Sequence, residues 1–322
     1  MARDADVAVP PGTAVAAEMG SPPPRRRRRP SLTPFGLILP VAVAIVLLLG
    51  YPIYKLVRLS FEKYGLFELI QHKGHWIGLE NYRSVLGDHV FWDTVVRTVI
   101  FTIVNVGLTM VLGTLIALLL PRISAWVRVT LLTGLVLVWA MPVVVAVQVF
   151  YWMTNFENGV LNYLAAELHL VPHNHDWYGT PTSSLAMVTL LIVWGALPFI
   201  VVSVYAGLAQ VPHELVEAAR VDGAGPLRTF RDVTFPVLKP ILLILTSLSI
   251  IWDFGVFAQP YLLINPSHLD QTNYLMGVYV FIKGYADHDF GRGAAISLLM
   301  LLMVAVLSVF YIRQMVRSTT VK

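Results

Sequence analysis

Six stretches of this chain are long, continuously apolar and almost without charge: Phe35–Tyr54, Val95–Leu120, Val129–Met153, Leu185–Leu208, Ile241–Ile264 and Ala294–Ile312. Each is long enough to cross a ~30 Å hydrocarbon layer as a helix rising ~1.5 Å per residue. Lipid offers no water to bond exposed peptide groups, so spans of this kind satisfy their backbone internally, as helices. Composition agrees, with 57% hydrophobic and only 13% charged residues, against about 25% charged in a soluble domain. The sequence therefore specifies an all-α membrane protein with six transmembrane helices.

The charges give the orientation. Residues 1–34 are rich in Pro, Ala and Gly, end in Arg25–Arg29, and read as a disordered basic tail ahead of a membrane domain at 35–316 and a short tail at 317–322. Most of the 23 Lys and Arg fall in the two tails or in Pro121–Arg128 and Ala209–Pro240, whereas Thr154–Thr182 has none. Positive residues mark cytoplasmic segments, so both termini are expected inside a prokaryotic plasma membrane. The formal charge of +4 follows this topology and calls for no nucleic-acid partner. The absence of cysteine excludes disulfides, thiol catalysis and Cys-based metal sites. No G-x-x-x-x-G-K-[ST] phosphate loop is present, so the chain is not expected to hydrolyse ATP or hold a cofactor of its own. His169, His173, His175 and Asp176 sit in the outer loop and read as solvated groups.

Two outer segments carry helical periodicity. In "GLENYRSVLGDHVFW" the residues Leu79, Tyr82, Val85 and Leu86 recur at helical spacing, and "NFENGVLNYLAAELHL" repeats the character with Val160, Leu161, Leu164, Leu168 and Leu170. Both suggest short amphipathic helices on the outer membrane face.

The polar island "EAARVDGAGPLRTFRDVTFPVLKP", Glu217–Pro240, interrupts this pattern. Val211-Pro212 opens a helix, Glu214 lies near its positive end, and Glu217 and Arg220 are spaced to pair. Ala218 and Ala219 flatten the neighbouring face, which permits close approach by another protein. Gly223 suits a left-handed helix stop and Gly225 a second flexible point. Pro226 starts another helix through Val233, and Thr234–Pro240, with Pro236 and Pro240, is expected to redirect the chain into the fifth span.

These residues resemble the EAA loop of the membrane subunits of ATP-binding-cassette importers. "WGALPFIVVSVYAGLAQVPHELVEAA", "GVLNYL" and "GRGAAIS" are similar to the type I carbohydrate-uptake branch. The resemblance covers nearly everything from Thr33 to Arg313. It implies a MetI-like six-helix bundle with a cytoplasmic coupling helix seated on an ATPase subunit. On that resemblance Glu217, Ala218, Ala219, Asp222, Gly223 and Ala224 form the docking element, braced by Phe230 and Pro236. It also implies the partners: a second homologous permease, two ATPase subunits that bind ATP and Mg, an extracellular or lipid-anchored sugar-binding protein, and a di- or oligosaccharide substrate. The end of the fifth helix departs from the family pattern, with Ala258 where an acid is common and Asn265-Pro266 in place of a double glycine.

A hydrophilic solute needs polar groups within the bilayer. Asp253 lies about twelve residues into the fifth span, ~18 Å from its inner end and near the midplane, where an ionisable side chain points to function or to an interhelix bond. Asn105 and Gln148 supply amides for hydroxyl groups, and Trp139, Trp194 and Trp252 supply flat faces for sugar C–H surfaces, while Trp152 suits the interface. Pro142 and Pro198 are expected to kink spans three and four. A gradient-driven carrier using Asp253 as its ion site is the alternative, and it has no need of the coupling loop.

Overall fold

The computed structural model describes residues 33–264 and 268–320; Arg25–Arg29 and the Asn265-Pro266 turn lie outside them. The chain divides after Tyr51 into two units. In the first, α1 (Thr33–Ile45) passes into a π turn, Val46–Gly50. The second contains α2 (Tyr51–Ser60), a small hairpin of β1 (Glu62–Lys63) and β2 (His75–Trp76) around α3 (Leu66–Gln71), and then α4 (Glu80–Leu86). The membrane part follows as α5 (His89–Leu119), α6 (Ala125–Trp139), α7 (Val143–Met153) and, after the outer helix α8 (Val160–Glu167), α9 (Pro181–Leu208). The island supplies α10 (His213–Val221) and α11 (Pro226–Thr229). Beyond it come α12 (Phe235–Phe254), α13 (Ala258–Ile264), α14 (Met276–Phe281) and α15 (Phe290–Thr320).

Five helical stretches are long and apolar enough to span a bilayer, and α6 with α7 makes a sixth if that pair, bent by 102°, is one span. The third apolar run is thus two helices and not the single kinked one expected. Pro142 has no N–H to continue α6 and disfavours helical geometry at Met141, so the chain turns there. Pro198, by contrast, sits inside α9 without ending it.

The fifth run also departs from expectation. It ends at Phe254, and α13 then turns away to pack on α7 and α9. Gly277 holds this break from the far side: a Cβ built there meets the Gly255 carbonyl at 3.0 Å and the Val256 carbonyl closer still. The backbones approach so closely that only glycine fits. At its other end the fifth span begins earlier than expected. Pro226–Phe254 is one helix, so Thr234–Pro240 does not redirect the chain. A π turn at Phe230–Thr234 widens the backbone just ahead of Pro236, where an α-helical ring would clash with the proline.

α5 and α9 share the most extensive seam, joined by α12. Small residues make it close: a Cβ on Gly113 would come within 2.6 Å of Ile200 Cγ2, and one on Gly207 within 2.9 Å of Leu238 Cδ2. One apolar cluster fills the half nearest α10 (Ala117, Ile200, Val204, Leu238, Leu245), and another the opposite half, where α13 contributes Leu263 and Ile264. Asp88 caps α5 by accepting from Val90 N–H at 3.0 Å and takes the Tyr279 hydroxyl at 3.1 Å, tying α14 to the start of α5.

Both expected outer helices form. α4 buries Val85 and Asn81, with Leu79 exposed. α8 buries Asn162 and Ala166 and turns Val160, Leu164, Leu168 and Leu170 outward. Its apolar face is therefore free for the membrane surface, while an asparagine packs inward. Asn162 Nδ2 donates to the carbonyls of Asn155 (2.9 Å), Phe156 (3.2 Å) and His175 (3.0 Å), and Trp177 Nε1 donates to Asn162 Oδ1 at 2.6 Å. The loop is tied together around this one amide, with His169, His173 and Asp176 left exposed.

Candidate functional site

Two places in the fold carry the polar residues that sequence singles out. The first is the island. Pro212 stands at the N-cap of α10 and Glu214 in its first turn. The stop is a Schellman motif: Gly223 has φ +77°, its N–H donates to the Arg220 carbonyl at 3.0 Å, and Ala224 N–H donates to the Ala219 carbonyl at 2.9 Å. Glu217, Ala218, Asp222 and Gly223 are exposed, Ala219 and Ala224 half-buried. Glu217 and Arg220 form no ion pair among the described residues, so the expected pairing is replaced by two solvated charges. Gly225 has φ −68°, open to any residue, and acts as the N-cap ahead of Pro226 where a flexible joint was expected. Phe230 packs against Phe235 with ring centroids 6.1 Å apart, and Pro236 stays exposed.

Sequence reasoning missed the apolar tips of this knob. Val221 is 87% and Leu227 80% exposed, flanking the glycine stop. Their isolation among charges hid them from a hydropathy reading, although exposed apolar residues beside a flat alanine face are what a protein partner would cover.

The second place is a cavity of about 320 Å³ within the bundle, among α6, α7, α9, α12 and the start of α13, at the small end of ligand-pocket sizes. Trp139, Trp194, Trp252 and Asp253 all line it, joined by Phe199 and Gln259. Phe199 stands between two tryptophans, 6.0 Å from the Trp139 ring and 5.4 Å from that of Trp252, and Trp194 lies 5.4 Å from Phe150. Asp253 is buried, and its carboxyl has no hydrogen-bond or ion-pair partner among the described residues. Pro198 has no N–H to offer the Trp194 carbonyl one turn back, and Trp194, Gly195 and Ala196 line the same cavity. That exposes backbone polarity where a span normally hides it.

Asn105 and Gln148 do not join this cavity. Asn105 is fully buried in the α5–α9 seam, donating to the Phe101 carbonyl at 2.8 Å and to Thr189 Oγ1 at 3.4 Å. Gln148 is exposed on α7, and Trp152 is exposed as an interfacial residue would be. Gln259 escaped notice because the apolar run 241–264 reads as one span, which points it elsewhere; the break at Gly255 brings it back. Where α7 leads into α8, a separate cavity of about 340 Å³ is lined by Tyr151, Tyr178, Asp176 and Asn155. Burial pushes the Tyr178 hydroxyl up to about 12, so it stays protonated and shares its hydrogen with Thr154 at 2.6 Å.

An apolar-walled cavity with stacked rings, one carboxyl and one amide suits a neutral polyhydroxylated solute. The family described as binding-protein-dependent transport system inner membrane component matches residues 109–318. The diacetylchitobiose uptake system permease protein DasB of Streptomyces coelicolor is 43% identical over 89% of this chain and 87% of its own length. The sulfoquinovosyl glycerol transport system permease protein SmoG of Agrobacterium fabrum is 31% identical over 86% of this chain and 88% of its own. A crystal structure of a bacterial ABC transporter that imports the acidic polysaccharide alginate superposes with TM-score 0.76 at 17% identity, covering 90% of this chain and 96% of that one. It shares the fold.

Proposed function

This chain belongs to the family of binding-protein-dependent transport system inner membrane components, and from that premise we propose that it is the translocation subunit of an ATP-driven importer for a di- or oligosaccharide. Diacetylchitobiose, the solute named for the 43% identical relative, is the first candidate. Family membership sets aside the gradient-driven carrier.

One observation carries the mechanism. Pro226–Phe254 is a single helix with the coupling loop at its start and Trp252 and Asp253 on the cavity wall at its end. At ~1.5 Å per residue it spans ~43 Å. Two partner ATPases, binding ATP and Mg, would grip α10 and the exposed Val221 and Leu227, closing on nucleotide and displacing the loop. A continuous helix cannot absorb that displacement locally, so it moves the cavity wall. The loop shifts the inward-open to outward-open equilibrium only by its differential contact with the two states. A second, homologous permease would close the cavity's other side, and a sugar-binding protein would deliver solute from outside. The charge distribution supports a cytoplasmic coupling loop and cytoplasmic termini.

The test is uptake of labelled diacetylchitobiose by the complete importer in proteoliposomes, with internal ATP and with or without an uncoupler. Uptake that needs ATP, ignores the uncoupler and drops at least tenfold in Asp253→Ala is expected. Uptake sustained by an ion gradient without ATP would defeat the proposal.

A further inference from the structure

A second cavity is larger than the one lined by tryptophans. It is a groove of about 1070 Å³ between α5 and α12, floored by the coupling loop. Its walls run from Arg122, in the turn that ends α5, back to Met110 on α5 and from Lys239 to Thr246 on α12, with Leu115, Leu118, Leu242 and Leu243 between. Twelve residues of α5 at ~1.5 Å each make the groove ~18 Å deep, close to half of a ~30 Å hydrocarbon core. It is therefore one leaflet deep. A spanning helix of a partner would need the full thickness.

The mouth is cationic. Arg122, Arg220 and Lys239 all line the groove, no acidic residue does, and none of the three forms an ion pair among the described residues. Arg228, just outside, is paired with Asp232 at 3.5 Å. Three free positive charges at the membrane edge, above an apolar slot of single-leaflet depth, match a phosphate headgroup with an acyl chain below it. Basic pockets of this form on the cytoplasmic side of membrane helices take anionic lipid heads.

We propose that this groove binds one anionic phospholipid of the inner leaflet, its headgroup held by Arg122, Arg220 and Lys239 and its chain laid against α5 and α12. Arg220 belongs to α10, while Arg122 and Lys239 belong to the spans. The lipid joins the coupling helix to the bundle, so its retention sets how tightly motion of one is passed to the other.

The absence of native cysteine leaves thiol chemistry free for labelling, but a photo-crosslinking residue is the more direct probe. It is placed singly at Leu118 and at Leu243 in the complete importer in native membranes, with Leu302 on the exposed face of α15 as the comparison. Irradiation is expected to give a mass adduct of phosphatidylglycerol or another anionic phospholipid at both groove positions, well above the Leu302 level. In nanodiscs of mixed phosphatidylcholine and phosphatidylglycerol, Arg122→Gln and Lys239→Gln should each lower the anionic adduct about fivefold, the effect of ~1 kcal/mol per cation near an anionic surface. Three results overturn the proposal: adducts to another protein chain, which would make the groove a subunit interface; phosphatidylcholine adducts as abundant as anionic ones; or no difference between the groove positions and Leu302.

Discussion

Gly223 lets the docking element be tested by backbone geometry alone. Its φ of +77° lies where side chains of L-residues are strained, yet a Cβ built there meets nothing within 4 Å. The cost of a substitution is therefore conformational and owes nothing to packing. For an unbranched residue it is ~1–2 kcal/mol, which shifts the balance between the capped loop and frayed alternatives by a factor of about 5–30. Asparagine tolerates the left-handed region better than alanine, and a β-branched residue is the worst case. Nucleotide-driven uptake by the complete importer should thus fall in the order Gly, Asn, Ala, Val, with Gly223→Val losing at least the upper end of that factor. Gly225, two residues on, is the internal comparison. Its φ of −68° is open to any residue, nothing lies within 4 Å of its added Cβ, and it occupies an N-cap, where serine is favoured. Gly225→Ser should transport within twofold of wild type while both proteins insert equally. Wild-type uptake by Gly223→Val, or equal damage from Gly225→Ser, would refute the claim that a left-handed stop shapes the docking surface.

Asn162→Ala removes an amide whose two N–H groups are shared among three carbonyls and whose oxygen accepts one bond, at a buried position. It should cost about 2–4 kcal/mol of local stability; hydrogen exchange across 155–177 would speed up accordingly, and unchanged protection would show that the amide is dispensable. Gly113→Val drives a side chain into Ile200 across the α5–α9 seam. A loss of about 1–3 kcal/mol is expected, read as a lower Tm in detergent and partly restored by adding Ile200→Ala; no restoration would place the damage elsewhere.

The island shows where local chemistry suffices. Its Schellman stop and helix starts are fixed by residues a few positions apart, so Pro212, Gly223 and Pro226 act as their types dictate. Gly225 shows the limit: glycine permits positive φ without requiring it, and here its place as the N-cap ahead of Pro226 won. Pairing of Glu217 with Arg220 failed for a related reason, since solvated charges at helical spacing gain little by meeting.

The sequence alone determined that the chain is a membrane helix bundle with a polar knob between its fourth and fifth apolar runs, because transfer free energy and turn chemistry are local sums. Only the tertiary structure decided where apolar runs stop. Inside a bilayer, a helix continuing through lipid and one folding back onto its neighbours bury equally apolar surface, so hydropathy cannot distinguish them. The break after Phe254 rests on Gly277, more than twenty residues away. That break places Gln259 beside Asp253 and the tryptophans, and the same long-range packing leaves Asn105 in a seam and Gln148 outside.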